Sequence, residues 1–448
     1  MTLDPLKLPT PAKLPEPVEG STPNPPKLPE PVEGSTPTPT PAPRLTRARL
    51  ADAGRALPAP PVRIVHVGAG AFHRTHQAWF TARASDAADW GIAAFTGRSP
   101  DVADRLAPQG GVFTLVERGP EGDRFEQVGS IVEAHPAARI DRFVELLADP
   151  AVAVVTLTIT EAGYRLGLDG TIDLTDSSVA HDLAALRAGA VASARLRTPL
   201  ARIVLGLAAR RRAQAGPIAI VSCDNLPDNA RITRDALRSL ADMAGLGYAL
   251  DTASFVATSV DRITPHTTAA DLDEVEARTG WRDEAAVVAE PFADWTLSGE
   301  FPAGRPAWDT AGARFVDRIE PFEQRKLLVL NGGHLVLAFE GLLRGHTTVA
   351  DAVADPACRS ALDAFWTEAA RAVARDVDTV DYRRALIERF ENRRIEHRLA
   401  QIAVDTATKL RLRVQPVIEA ERAAGRDAAA STAVVDAWHR CRRAGLIE

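Results

Sequence analysis

Apolar positions along this chain change their spacing at about Pro61. Downstream of it, short and nearly continuous apolar runs alternate with segments of helical period. Val62–Gly68 (VRIVHVG), Gly91–Thr96 (GIAAFT), Ala151–Ile159 (AVAVVTLTI) and Pro217–Ser222 (PIAIVS) have strand length and many β-branched residues. Leu200–Arg212 and Ala230–Ala244 carry helical patterns. A strand that is apolar at nearly every position must be covered on both faces. The alternation therefore predicts a parallel sheet with helices packed on either side, a doubly wound α/β domain. One more strand is expected at Ser254–Val260, and after it helical periodicity dominates. The expected division is an α/β domain over 61–250 and a mostly α-helical C-terminal domain over 251–448.

Residues 1–45 have a different texture. They are proline-rich, and KLPEPVEGSTP at Lys13–Pro23 returns unchanged at Lys27–Pro37. Such a segment cannot bury a core and is expected to stay extended, as a linker or recognition segment. The plainer alternative is a natural start downstream, with the repeat being translated upstream sequence.

Composition narrows the partners. With 448 residues, 46% hydrophobic and 25% charged, the chain can build two cores. A formal charge of −6 argues against nucleic acid as partner, and arginine clusters such as Arg210–Arg212 read as solvated helix ends. No run of about 18 apolar residues suggests a membrane span, and the N-terminus lacks the apolar core of a signal peptide. Cys223, Cys358 and Cys441 are far apart and odd in number, which suggests neither a disulfide framework nor a zinc cluster. A cytoplasmic protein acting on small molecules is expected, with no nucleic-acid or membrane partner.

Lysine is nearly absent. It occurs at Lys7, Lys13, Lys27, Lys326 and Lys409 and nowhere else, so the folded part keeps two among dozens of arginines. Where only charge is needed, arginine serves; an amine that must lose its proton has to be lysine. Chance survival is the competing explanation. Asparagine is also rare, with Asn225, Asn229, Asn331 and Asn392 in the folded part.

The candidate chemistry lies at strand ends and in one apolar helix. The first run leads into Gly68-Ala69-Gly70-Ala71-Phe72-His73-Arg74-Thr75-His76. A glycine turn from strand to helix lets a pyrophosphate approach the backbone. Here His73 stands where GxGxxG has its third glycine. His73 and His76 lack a third ligand, and no metal is expected. The second strand ends in Thr96-Gly97-Arg98-Ser99; Arg98 leans toward the extra phosphate of NADP while Asp101 is close by, so NAD or NADP stays open. Two later strand ends carry Glu161 and the pair Asp224 and Asn225, residue types that also serve turns and caps. In Glu323–His334 (EQRKLLVLNGGH), Asn331 and His334 share the face of an ideal helix, with Lys326 further back. The pair Gly332 and Gly333 could close a turn or let a ligand approach. Ketone reduction by hydride needs a proton donor for the forming alkoxide, and alcohol oxidation needs the same group as base. A buried lysine meets that demand, and asparagine amides can bond the oxyanion.

Taken together, GAGAFHRTHQA at Gly68–Ala78, TLTITEAGY at Thr156–Tyr164, SCDNLPDN at Ser222–Asn229, VDRITP at Val260–Pro265, EPFADW at Glu290–Trp295, KLLVLNGGH at Lys326–His334 and HRLAQIAVDTATK at His397–Lys409 resemble the mannitol dehydrogenase family, in order over about 61–413. The resemblance implies a Rossmann-like domain followed by a helical one. It also implies metal-independent hydride transfer between NAD or NADP and a sugar alcohol, ketose or ketouronate. By the same resemblance Lys326 is the acid–base residue, Asn225 and Asn331 hold the oxyanion, and Glu323 assists proton movement. Asp261, His334 and Lys409 match substrate-pocket positions, and Gly68, Gly70, Ala71, Phe72, Arg98 and Glu161 fall on the cofactor side. Gln401 stands where mannitol 2-dehydrogenases carry arginine, and the HR-x-x-QIA-x-D pattern is similar to the fructuronate reductase branch. Mannitol 2-dehydrogenase and mannitol-1-phosphate 5-dehydrogenase are the enzyme alternatives, as a monomer or small oligomer. Relatives generally continue past the position of Glu448, so a shortened helical domain is expected, and with it the alternative of an inactive nicotinamide-binding protein. A Schiff-base aldolase using Lys326 is a third reading, which the glycine turn disfavours.

Overall fold

A computed structural model describes residues 42–447 other than 168 and 190–194; the repeats at 13–23 and 27–37 lie outside the described residues. The described residues begin slightly before the expected boundary at 45. Leu45 is fully buried with Leu50 and Val112, against Leu57 and Trp281.

Among the described residues, eleven strands form two sheets. In chain order they are β1 (Val62–Val67), β2 (Gly91–Phe95), β3 (Phe113–Gly119), β4 (Gly122–Val128), β5 (Ile131–His135), β6 (Val154–Leu157), β7 (Ile218–Ser222), β8 (Ala253–Asp261), β9 (Val287–Ala289), β10 (Asp294–Ser298) and β11 (Arg314–Phe315). The larger sheet has the order β11-β10-β8-β7-β6-β1-β2-β5, the smaller one β4-β3-β9. The strands from β5 through β1 to β8 pair in parallel, so their carboxyl ends share one edge. The chain leaves β1 toward β2 and returns on the other side as β6, which makes the β1/β6 boundary the switch point.

Period-two alternation sends opposite residues of each strand into opposite cores. Val65 and Val67 of β1 pack with Val155 and Leu157 of β6 and the helix Pro199–Arg212. Ile64 packs instead with Ile92, Ala94, Phe80 and Trp295 on the other face. Pro199–Arg212 begins as its sequence dictates: the Thr198 side chain accepts from Ala201 N, and Pro199 occupies the first turn. Arg210 at its end is not solvated, contrary to the sequence reading. It is buried and donates to the carbonyls of Leu147, Asp149, Ala215, Gly216 and Pro217, tying two loops together.

The α/β layer does not stop at residue 250. β8 pairs in parallel with β7, β10 pairs antiparallel with β8, and β9 joins β3. Strands of three, five and two residues (VVA, DWTLS, RF) offer too short a run for periodicity to register. Helices take over from Glu320 onward. The helical stretch Glu320–Leu343 holds no unbroken run of 18 apolar residues; by length and mean hydropathy alone it is apolar enough to cross a membrane, yet 72% of its most apolar window is buried by the protein itself. It is the central helix of the C-terminal core, packed with Leu362, Phe365 and Trp366. Gly332 and Gly333 do not close a turn; both lie within a helix and pack against aromatic side chains. A Cβ on Gly332 would lie 2.8 Å from the Phe365 ring, and one on Gly333 2.7 Å from Trp366 Nε1, so they permit a close helix crossing.

Candidate active site

The central helix changes pitch where the chemistry is expected. Lys326–Asn331 is a π-helical turn set between α-helical segments. Five residues of an α-helix would leave Lys326 and Asn331 roughly 140° apart around the axis. The wider i→i+5 turn brings them onto one side. The turn is braced by Trp366, whose Nε1 donates to the Val329 carbonyl at 2.8 Å.

Two cavities meet at this turn. One, of about 290 Å3, is lined by Asn225, Asp261, Lys326, Asn331, His334, Gln401 and Lys409, together with Arg389, His397 and Arg413. The other, of about 590 Å3, is lined by Glu161, Asp224 and Glu323, and shares Asn225, Lys326, Asn331 and Arg413 with the first. Residues spread over 189 positions of sequence, from Asn225 to Arg413, thus line one cavity.

Lys326 Nζ donates to Asn225 Oδ1 and to the Val260 carbonyl, both at 2.7 Å. Burial pulls the Lys326 ammonium below its ordinary pKa, while the Asp261 carboxylate pulls it back up. Because an ammonium only donates, Asn225 must present its oxygen to the lysine, which leaves its NH2 for another acceptor. The Asn331 amide has no side-chain partner among the described residues. Glu323 Oε1 accepts from Asp228 N at 3.3 Å, and burial raises its pKa.

Behind Lys326 stands an ion cluster that sequence reasoning missed. Both Asp261 oxygens accept from Arg389, at 2.6 and 2.8 Å. Arg389 also binds both oxygens of buried Glu290, each at 2.7 Å. Burial pushes Glu290 up to about 7 in spite of the arginine, whereas Asp261 is held below its ordinary value. Asp261 therefore lines the cavity with its carboxylate already engaged. Glu290 lies within the EPFADW motif, but nothing in the local pattern of Val380–Phe390 marks Arg389. Its partners lie 128 and 99 residues away.

His334 is buried against Phe390 and His397, its Nε2 has no partner among the described residues, and burial holds it neutral. Lys409 Nζ donates to the Ile402 carbonyl at 2.9 Å, and Gln401 is exposed on the same wall.

The glycine turn lies apart from both cavities, at the switch point. Gly68 has φ 104°, and a Cβ there would stand 2.1 Å from the Thr158 carbonyl oxygen. Gly70 meets nothing closer than 3.6 Å, so the backbone running into Ala71 and Phe72 is open to approach. His73 replaces the third glycine by stacking flat on His66 of β1, ring centroids 3.3 Å apart, both rings neutral through burial. Arg98 is exposed just past the end of β2. A dinucleotide fits this arrangement: a bare backbone at the turn and a cation at the neighbouring strand end. Glu161 sits beyond β6, at the mouth of the larger cavity.

Comparison with known proteins agrees with this layout. The mannitol dehydrogenase Rossmann domain matches residues 62–310, and the mannitol dehydrogenase C-terminal domain matches residues 318–444. The chain is 35% identical over 362 residues to D-mannonate oxidoreductase of Escherichia coli, covering 78% of this chain and 73% of that one. It is 34% identical over 407 residues to D-arabinitol 4-dehydrogenase of Ralstonia nicotianae, covering 88% and 84%. Among solved structures, Pseudomonas fluorescens mannitol 2-dehydrogenase in ternary complex with NAD and D-mannitol superposes with a TM-score of 0.72 at 33% identity, covering 89% of this chain and 81% of that one.

Proposed function

The chain belongs to the mannitol dehydrogenase family, and we propose that it is a polyol oxidoreductase in which Lys326 exchanges the proton of the reacting hydroxyl. The observation that carries this reading is the position of Lys326 Nζ, held by Asn225 and Val260 on the wall common to two cavities. Two of its hydrogens are committed to those acceptors. The remaining site is a third N–H in the ammonium and a lone pair in the amine. The ammonium can donate to an alkoxide forming on a ketone carbon, and the amine can take the proton from an alcohol. The free Asn225 NH2 and the unengaged Asn331 amide supply donors to the same oxygen. Glu323, on the larger cavity, exchanges protons with solvent on behalf of Lys326. When bound, an NAD-type nicotinamide cofactor supplies or accepts the hydride, with Gly68, Gly70, Ala71 and Phe72 against its pyrophosphate, Arg98 near the adenosine ribose and Glu161 toward the larger cavity.

For the substrate, the fructuronate reductase branch is our first choice, that is, reduction of a ketouronate to a hexonate. Similarity at 35% to a D-mannonate oxidoreductase supports it. A mannitol-type ketose is the second reading, favoured by the structural likeness to mannitol 2-dehydrogenase. The test is a panel of ketouronate, ketose and ketose phosphate with NADH or NADPH, followed by absorbance, for the native chain and Lys326→Arg. We expect turnover of one class by the native protein and a loss on the order of 10³-fold or more in the variant. Retained activity in Lys326→Arg overturns the acid–base assignment, because guanidinium does not cycle a proton.

A further inference from the structure

The smaller cavity holds more positive charge than its own residues neutralise. Its lining has four cationic side chains, Lys326, Arg389, Lys409 and Arg413, against the single carboxylate of Asp261. Even with Glu290 counted behind Arg389, two positive charges remain. They are assigned by asking which cations have partners. Arg389 is saturated by Asp261 and Glu290. Lys326 is held by Asn225 and Val260. Among the described residues Lys409 has only the carbonyl of Ile402. The half-buried Arg413 guanidinium has no hydrogen bond or ion pair to any described residue.

We propose that Arg413, with Lys409 one turn earlier, receives an anionic group of the substrate and so sets the choice between charged and neutral sugars. The inference rests on the redox reading above and adds the chemical class that the pocket selects. Lys409 and Arg413 are four residues apart on the helix Thr406–Arg413, which places them on one face, about 5–6 Å apart at Cβ. Two like charges so placed repel, and partial burial removes the water that would screen them. Burial lowers the pKa of both, and for Arg413 no neighbouring carboxylate answers it. A bound anion relieves both penalties, and a guanidinium presents a planar fork that donates to two carboxylate or phosphate oxygens at once. A neutral ketose offers only hydroxyls, which satisfy a desolvated cation less well. Arg413 also lines the cavity wall shared with Lys326 and Asn331, so an anion held there lies on the same bound molecule as the reacting carbon. The neutral Gln401 amide on the same wall leaves the charge reading to this helix.

A carboxylate and a phosphate share this chemistry, and the arms of the experiment separate them. kcat/KM is measured for D-fructuronate, fructose 6-phosphate and fructose with the native chain, Arg413→Gln and Arg413→Lys, alongside thermal melts that report folding. The ratio of kcat/KM for the preferred anionic substrate to that for fructose should fall roughly 10- to 100-fold in Arg413→Gln, mainly through KM, and recover partly in Arg413→Lys. The substrate giving the larger native ratio identifies the anion. An unchanged ratio, whether or not overall activity drops, overturns the proposal and makes Arg413 structural. If the native chain turns over none of the three, the redox reading fails on its own. Calorimetric binding of D-mannonate and of mannitol 1-phosphate against mannitol then decides. Tighter binding of an anion that is lost in Arg413→Gln upholds the receptor, and equal binding of all three refutes it.

Discussion

Replacing Arg389 by methionine removes the centre of the ion cluster while keeping most of the buried stem. The structure shows what is lost: two bonds to Asp261 at 2.6 and 2.8 Å and two to Glu290 at 2.7 Å. The exposures of the three side chains are 3% for Arg389, 11% for Asp261 and 3% for Glu290, so water cannot replace the guanidinium. Removing one partner of such a buried cluster costs about 3–5 kcal/mol, which for a fold of roughly 400 residues corresponds to a fall in Tm of about 4–6 °C. The pH dependence gives the sharper check. Without Arg389, Glu290 rises above about 7 and Asp261 loses the group that holds it low. A carboxyl whose folded pKa exceeds its unfolded value destabilises the fold only once pH passes the unfolded pKa, and fully above the folded one. The stability deficit of Arg389→Met should therefore be present at pH 5, where the loss of the group holding Asp261 low is already felt, and larger near pH 8, where Glu290 adds to it. Adding Glu290→Gln to the variant should recover part of it at pH 8. Melting curves at both pH values for the three proteins make the comparison. A deficit equal at pH 5 and pH 8, or one that Glu290→Gln does not reduce, would falsify the electrostatic account and assign the loss to packing.

Lys326 must be an amine to oxidise an alcohol and an ammonium to reduce a ketone. Its kcat/KM for oxidation should therefore fall as pH drops through a value below that of an ordinary lysine, and reduction should fall as pH rises through it. Asp261→Asn removes the main influence raising that pKa, so the acid limb of the oxidation profile should move to lower pH; movement upward would contradict the assignment. Gly68→Ala should abolish cofactor binding in a fluorescence titration, or prevent folding. Its Cβ would collide with the Thr158 carbonyl at 2.1 Å in a backbone conformation with φ 104°. Native-like cofactor affinity in that variant would show that the turn relaxes without consequence.

The sequence by itself determined the elements whose physics is local. Unbroken apolar runs such as PIAIVS can only be strands covered on both faces, and they are the inner strands of the larger sheet. A glycine pair after the first strand, and lysine kept at two positions in an arginine-rich chain, marked the turn and the pocket wall before any distance was known. Tertiary structure decided what depends on remote partners. β9, β10 and β11 are too short or too polar to register alone and exist because β3, β8 and β10 respectively offer them ladders. The face shared by Lys326 and Asn331 depends on a π turn braced by Trp366, 37 residues from the carbonyl it caps. Gly332 and Gly333 carry the same letters as a turn but serve a helix crossing at Phe365 and Trp366. Arg389 and Arg413 look alike in sequence, as arginines on polar helices. Only the fold distinguishes them, because among the described residues one meets two carboxylates and the other meets none.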